Sequence, residues 1–239
     1  MIIISNKNQS LNNCFLKTRR QYQKQRKQLG MSLLEVIIGL GVIGTNTAGV
    51  VVLAQRALDA QEITELVNNI NTIRFAMKET YQRGGIYPAY ISPLTLTPDT
   101  MKNTPDAIAI SQLVKLGKLT PDEVRNNISG DFIGIGRANV TTTTGSMVSG
   151  GFAMEINGLN QKQCRAIIEQ IGNNWDYVAV GTSGSGTYSL TYNGINITEA
   201  SDGITVMRST GTGGQKYLNP EKILNTCNAT INSIILASR

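Results

Sequence analysis

The sequence predicts an α+β fold organised on one long helix near its N-terminal end, and three observations predict it. Residues 30 to 54, GMSLLEVIIGLGVIGTNTAGVVVLA, form a long apolar run with a single acidic residue. From Ile63 to Tyr81 apolar residues recur every three or four positions, and no proline stands between Met31 and Tyr87. Beyond residue 150, strand-like runs alternate with short helical patterns and with stretches rich in Gly, Ser and Thr.

The apolar run comes first. A helix of roughly 20 apolar residues is long enough to cross a bilayer, so residues 31 to 54 are a candidate span. Glu35 is the anomaly in it, because an ionised carboxylate in an apolar span costs roughly 2.5 to 3.5 kcal/mol and needs a partner or a function. One reading puts Glu35 at the membrane boundary, with its carboxylate reaching water. The other follows from its neighbours. Cleavage after Gly30 would make Met31 a new N-terminus, its amine four positions before Glu35 and on the same helical face. Gly39, Gly41, Gly44 and Gly49, with Thr45, Asn46 and Thr47, lower helix propensity in mid-run, and such small residues also let helices approach closely.

After Ala54 the apolar character narrows to a stripe. Ile63, Leu66, Ile70, Ile73, Met77 and Tyr81 share a face, while Arg56, Asp59, Glu62, Glu65, Arg74 and Lys78 occupy other positions. Residues 55 to 83 therefore read as an amphipathic helix with one side for a globular domain. Unbroken from Ser32 to Gln82, the helix would be on the order of 75 Å long. Gly84-Gly85 supplies its stop.

Residues 84 to 150 read as a connecting loop with short helices. Pro88, Pro93, Pro98 and Pro105 mark extended chain. Ser111 to Leu116 is a short helix ending at Gly117. Thr120-Pro121-Asp122-Glu123 is a helix-start signal, with Thr120 as N-cap and Pro121 at the first helical position. Gly134-Ile135-Gly136 has Asn139 where a dinucleotide-binding loop needs its third glycine, and it reads as a turn. Residues 151 to 239 form the head. Gly151 to Ile156, Tyr177 to Val180 and Thr230 to Leu236 are strands. Asn160 to Ile171 is helical and contains Cys164, and a helix opening at Pro220 reaches Cys227. Gly181 to Gly214 reads as short strands and exposed turns, able to vary without changing the core.

Charge distribution excludes one class of partner. The chain carries +6 overall. Lys7, Lys17, Arg19, Arg20, Lys24, Arg26 and Lys27 give residues 1 to 30 a charge of +7 without an acid, which leaves −1 for the remainder. Basicity thus belongs to one segment ahead of an apolar run, the arrangement that keeps that segment in the cytoplasm, and nucleic-acid binding loses its support. The chain has no histidine, which removes the commonest general base and metal ligand. No catalytic residue, cofactor or metal site is expected.

Gly30-Met31-Ser32-Leu33-Leu34-Glu35, behind a basic leader and ahead of an apolar helix, resembles the type IV prepilin processing site. Glycine before the cut and glutamate as the fifth mature residue carry that resemblance. The long leader, the mature N-terminal methionine, Leu53-Ala54-Gln55-Arg56-Ala57 and a cysteine pair near the C-terminus are similar to the type IVb branch. Within it the likeness is to the longus and colonization-factor-III group of major pilins, and more distantly to the toxin-coregulated pilus subunit. It covers Gly30 to Arg239; residues 1 to 29 match only in length and charge.

The resemblance implies the type IV pilin fold, a long N-terminal helix packed on an antiparallel sheet head with a disulfide-bounded C-terminal region. It implies cleavage between Gly30 and Met31 by a prepilin peptidase, N-methylation of Met31, and a role for Glu35 in assembly. The implied partners are further copies of the chain in a filament, the assembly platform with its cytoplasmic ATPase, a minor pilin, the inner membrane before assembly, and host surfaces or other pili afterwards. The location follows: inner-membrane precursor, then extracellular pilus, with adhesion, aggregation and colonisation as the use. In an exported chain Cys164 and Cys227 read as one disulfide, with two free buried thiols as the alternative, while Cys14 lies in the leader. A minor pilin or secretion pseudopilin shares the processing site, and a signal-anchored periplasmic domain with Glu35 incidental is the remaining rival.

Overall fold

The computed structural model of the chain describes residues 32 to 103, 108 to 199 and 205 to 239, and of residues 45 to 49 the backbone only. Gly30 and Met31, the expected processing site, therefore lie outside the described residues. The chain divides after Arg56 into two units, 1 to 56 and 57 to 239. Helix α1, Leu33–Tyr81, supplies the described part of the first and opens the second. Its backbone stays helical through Gly44 to Thr47 despite their low propensity. No helix of the described residues is long and apolar enough to cross a membrane. The expected span over 31 to 54 takes in Met31 and the side chains of 45 to 49, which stand outside that description.

In the second unit the expected stripe is buried: Ile63, Leu66, Ile70, Ile73 and Met77 all enter the main core. Each such side chain contributes about 1.5 to 3 kcal/mol of apolar burial, which is what holds α1 to the head. The helix stops where glycine permits it. Gly85 takes a φ of 66°, and its N–H donates to the Tyr81 carbonyl at 3.1 Å. Two short helices follow, α2 (Pro98–Met101), with Thr97 as N-cap, and α3 (Ala109–Lys115), which ends at Gly117 as its sequence predicts.

The sheet has six strands among the described residues: β1 (Gly134–Thr141), β2 (Met147–Leu159), β3 (Tyr177–Gly181), β4 (Ile195–Asn196), β5 (Val206–Arg208) and β6 (Asn232–Ser238). Their order is β4-β1-β2-β6-β3-β5, antiparallel throughout except for the short β1/β4 pair. Alternation along β2 sorts its side chains cleanly. Phe152, Met154 and Ile156 face the core shared with α1, while Ala153 faces a second, smaller cluster with Ala138, Tyr177, Ala179, Leu190 and Ile197. Helix α4 (Gln161–Ile171) closes the helical side, opened by a capping box in which Asn160 and Gln163 exchange hydrogen bonds. Helix α5 (Pro220–Thr226) is capped by Asn219.

Three expectations change. Gly134-Ile135-Gly136 is not a turn but the start of β1, so the sheet begins well before residue 151. These glycines are there for close approach. A Cβ at Gly136 would stand 2.4 Å from the Tyr90 Cβ and 2.8 Å from its Cα, because the proline-rich connection crosses the sheet at that point. Thr120-Pro121-Asp122-Glu123 does form its cap, the Thr120 N–H donating to Glu123 Oε2 at 2.7 Å, yet no helix follows. The Val124 carbonyl accepts from Ile133 N–H at 2.9 Å and Arg125 bridges Phe132, so an antiparallel contact uses the groups a second turn needs. Finally, Gly181 to Gly214 holds the expected short strands, β4 and β5, but its turns are not all exposed. Leu190 and Ile197 are buried and pack on the outer face of the sheet.

Candidate assembly surface

In the first unit the described side chains of α1 are mostly apolar and outward-facing. Leu33, Leu34, Ile37, Ile38, Leu40, Val42, Ile43, Val50 and Leu53 are all exposed, half or more of each surface reaching solvent. Apolar surface this extensive marks a binding region rather than a solvated one. Glu35 is the acidic residue of the first turn. Its N–H donates to the Ser32 carbonyl at 2.9 Å, and its exposed carboxylate pairs with no described residue. A helix N-terminus favours negative charge, so the position itself suits a carboxylate.

In the second unit the two flanks of α1 differ in charge. With Leu66 as reference and 100° per residue, Arg74 and Lys78 lie about 80° and 120° to one side of the buried stripe, and Glu62 and Glu65 about 40° and 100° to the other. The Arg74 guanidinium stacks 4.8 Å from the ring centroid of the fully buried Trp175 and donates to Ser238 Oγ at 3.3 Å. The Ser238 hydroxyl donates to Asp176 Oδ2 at 3.0 Å, which also accepts the Arg239 N–H at 2.9 Å. Arg74 Nε is buried with no partner. Burial lowers the pKa of Arg74, with Asp176 opposing and Arg208 adding to the fall. Burial likewise lowers Lys78, helped by Arg74 and opposed by Asp176. Arg74 and Lys78 thus act on the same carboxylate, Asp176, with Arg208 adding positive charge beside Arg74, and Lys78 makes no ion pair among the described residues. On the opposite flank Glu62 and Glu65 are exposed, their carboxylates pairing with no described residue.

The structure joins Cys164 in α4 to Cys227 at the end of α5, with Cα atoms 5.9 Å apart and both residues buried. Arg165 adds a hydrogen bond to the Leu224 carbonyl at 3.1 Å, so the two helices are tied twice. No group of three or more His, Cys, Asp or Glu residues among those described is placed to hold a metal ion.

A polar network on the outer face escaped the sequence reading. Glu155, fully buried in β2, accepts the N–H groups of Ser189 and Leu190 at 2.6 and 3.0 Å. Asn157, two residues on, donates to Asp131 Oδ2 at 2.8 Å and accepts from Ser129 Oγ at 2.8 Å. Asp131 in turn accepts the Gly186 N–H at 2.7 Å. The signal was a carboxylate and an amide at alternate positions of an otherwise apolar strand, since buried polar groups must be paired.

A family model described as toxin-coregulated pilus subunit TcpA matches residues 112 to 231. A toxin coregulated pilin of Vibrio cholerae is 36% identical over 171 residues, 70% of this chain and 68% of the relative. Another, from Vibrio cholerae serotype O1 (strain ATCC 39315 / El Tor Inaba N16961), is 36% identical over 166 residues, 68% of this chain and 66% of the relative. The crystal structure of the type IV pilin TcpA from the El Tor biotype of Vibrio cholerae superposes with a TM-score of 0.57 at 23% identity, over 75% of this chain and 99% of that one. This last likeness concerns the fold.

Proposed function

This chain belongs to the toxin-coregulated pilus subunit family, and we propose from that premise how it becomes part of a filament. As a type IVb pilin it is a major structural subunit of a surface pilus. The observation that carries the mechanism is the exposed apolar surface of α1 from Leu33 to Leu53 with the lone carboxylate of Glu35 in its first turn. Such a surface needs lipid around it or other copies of itself.

In our reading both occur in succession. The precursor rests in the inner membrane through residues 31 to 54, its basic leader on the cytoplasmic side. A prepilin peptidase cuts between Gly30 and Met31 and the new amine is methylated, which discards the leader and leaves the apolar helix on the mature subunit. An assembly platform with its ATPase and a minor pilin then bring subunits together as a homopolymer, helices inside and heads outside. In that low-dielectric interior an isolated carboxylate is costly, so Glu35 of one subunit meets the Met31 amine of a neighbour. The pair sets register between helices more than it adds net stability. The heads face host surfaces and other pili in adhesion, aggregation and colonisation.

Mass spectrometry of fibres sheared from the cell surface tests this directly. The expected subunit begins at N-methylated Met31. Fibres that lack the chain, or that hold it with residues 1 to 30 attached, sink the reading.

A further inference from the structure

We propose that the cationic flank of α1, Lys78 backed by Arg74 and Arg208, receives the carboxylate of Glu65 from a second copy of the chain. The proposal rests on the polymer reading above and adds to it a specific head-to-head contact.

Four observations converge on it. First, the flank is overcharged. Arg74 lies within reach of the charges of Lys78 and Arg208, and the acid that acts on both Arg74 and Lys78 is Asp176, whose Oδ2 already accepts from Ser238 and Arg239. Second, the cations are held in place. Arg74 is fixed by the Trp175 ring and Ser238, and Arg208 donates to the Gly172 carbonyl at 3.2 Å. Lys78, one turn beyond Arg74 and half-buried, has no such anchor and is the group left to reach outward. Third, Glu65 and its neighbour Glu62 are exposed carboxylates that pair with no described residue, in contrast to Glu79, which pairs with Lys118 at 2.7 Å, and Asp59, which pairs with Lys162 at 3.6 Å.

The fourth is the placement of the two groups on opposite sides of the same helix. A patch that met its own equivalent would set cation against cation. Complementary patches on opposite flanks instead make a heterologous contact, each copy offering Lys78 to one neighbour and Glu65 to the next, and such contacts repeat without closing. Side by side and parallel, two copies meet in this way only when one is displaced along the helix by the 13 residues from Glu65 to Lys78, about 20 Å. The contact therefore selects one axial offset and one direction among those that apolar packing alone allows, because opposite charges across an interface reward register and like charges penalise it.

The test uses the full chain assembled on cells. Lys78→Glu and Glu65→Lys should each lower the yield of sheared filaments by about ten-fold or more, and the double exchange should restore it to within about two-fold. Total oxidised subunit in the membrane checks that each variant folds. As a second measurement, filaments carrying Lys78→Cys together with Glu65→Cys are oxidised and run without reductant. About 20 Å along one helix is far beyond disulfide reach, so a ladder of covalent multimers reports contact between copies. Such a ladder, absent from either single-cysteine variant, supports the proposal. Wild-type filaments with neither the ladder nor the charge-exchange rescue overturn it while the polymer reading stands. Sheared fibres that lack the wild-type chain overturn both.

Discussion

Glu155 holds Ser189 by two bonds, Oε2 accepting the serine N–H at 2.6 Å and Oε1 its hydroxyl at 3.1 Å. The carboxylate is fully buried in a central strand and no described cation pairs with it, so its charge is carried by donors at Ser189 and Leu190. Removing the acceptors strands those donors at about 1 to 3 kcal/mol and opens a hole. Glu155→Ala should therefore destabilise the head by about 3 to 5 kcal/mol, and Glu155→Gln, which keeps one oxygen, by less. Urea unfolding followed by circular dichroism measures both. Equal stability of the alanine variant and the parent would show that Ser189 and Leu190 are held elsewhere.

Gly136→Ala tests the crossing of the proline-rich connection over β1. The added methyl meets Tyr90 backbone, with its Cα at 2.8 Å and its N at 2.9 Å, and backbone has no rotamer by which to withdraw. Overpacking of this kind costs about 1 to 3 kcal/mol. The alanine variant should unfold at lower urea than the parent, and hydrogen exchange should quicken around Tyr90 before elsewhere. Unchanged protection there would mean that the connection shifts freely.

What the sequence could say about these positions follows from the range of the interactions. The face made by Ile63, Leu66, Ile70, Ile73 and Met77 was legible because its period is set by the helix itself. The helix starts near Asn160 and at Pro220, and the stop at Gly85, were legible because they depend on residues a few positions apart, although the caps made by Asn160 and Asn219 themselves were not read. Gly134 and Gly136 misled because a glycine needed for approach by Tyr188 or Tyr90 looks the same as one needed for a turn. Thr120 misled in the opposite way, since its local cap forms and a distant bridge stops the helix. At the candidate site, Glu35 stood out by contrast with its neighbours. The flank of Arg74, Lys78 and Arg208 did not, because a strand far along the chain completes it.

Cys164 and Cys227 close a loop with a sequence separation of 63. In the chain-entropy account, a cross-link over such a loop stabilises by roughly 4 kcal/mol through the unfolded state. Replacing both by alanine should lower the urea midpoint of the head accordingly, and α5 should be the first element to lose exchange protection. A midpoint within error of the parent would show that the packing of Ile223 and the Arg165 bond to Leu224 suffice.

Trp175 is the one tryptophan of the chain and lies under the Arg74 guanidinium. Its fluorescence therefore reports this site without another indole to confuse it. Arg74→Ala removes a cation over the ring and the aliphatic stem that covers it, at a cost of about 1 to 2 kcal/mol. The emission maximum should move to the red as water reaches the indole, while Arg74→Lys should restore the cover in part and leave Ser238 without its planar donor. An emission spectrum unmoved in the alanine variant would place the shielding of Trp175 on Phe152 instead, whose ring lies 6.1 Å away.

Half-buried and buried phenols should make the head lose stability at alkaline pH. Burial is the first cause that raises the pKa values of Tyr81, Tyr87, Tyr90 and Tyr188, and for Tyr188 the charges of Asp131 and Glu155 add to it. Tyr188 also donates its hydroxyl proton to the Phe132 carbonyl, a bond the phenolate cannot make. In the unfolded chain these groups ionise at about pH 10. A folded value above the unfolded one means that the folded head holds its protons longer. The associated stability is whole below about pH 10 and is lost as pH rises toward the folded values. Absorbance of tyrosinate, titrated alongside circular dichroism, should show part of the signal appearing only as the fold is lost, in a slow step. Tyr188→Phe should weaken that coupling and flatten the fall of stability above about pH 10, at the expense of the bond to Phe132. Full, rapid and reversible ionisation of Tyr188 with the dichroism intact would mean that water already reaches its hydroxyl in the folded head.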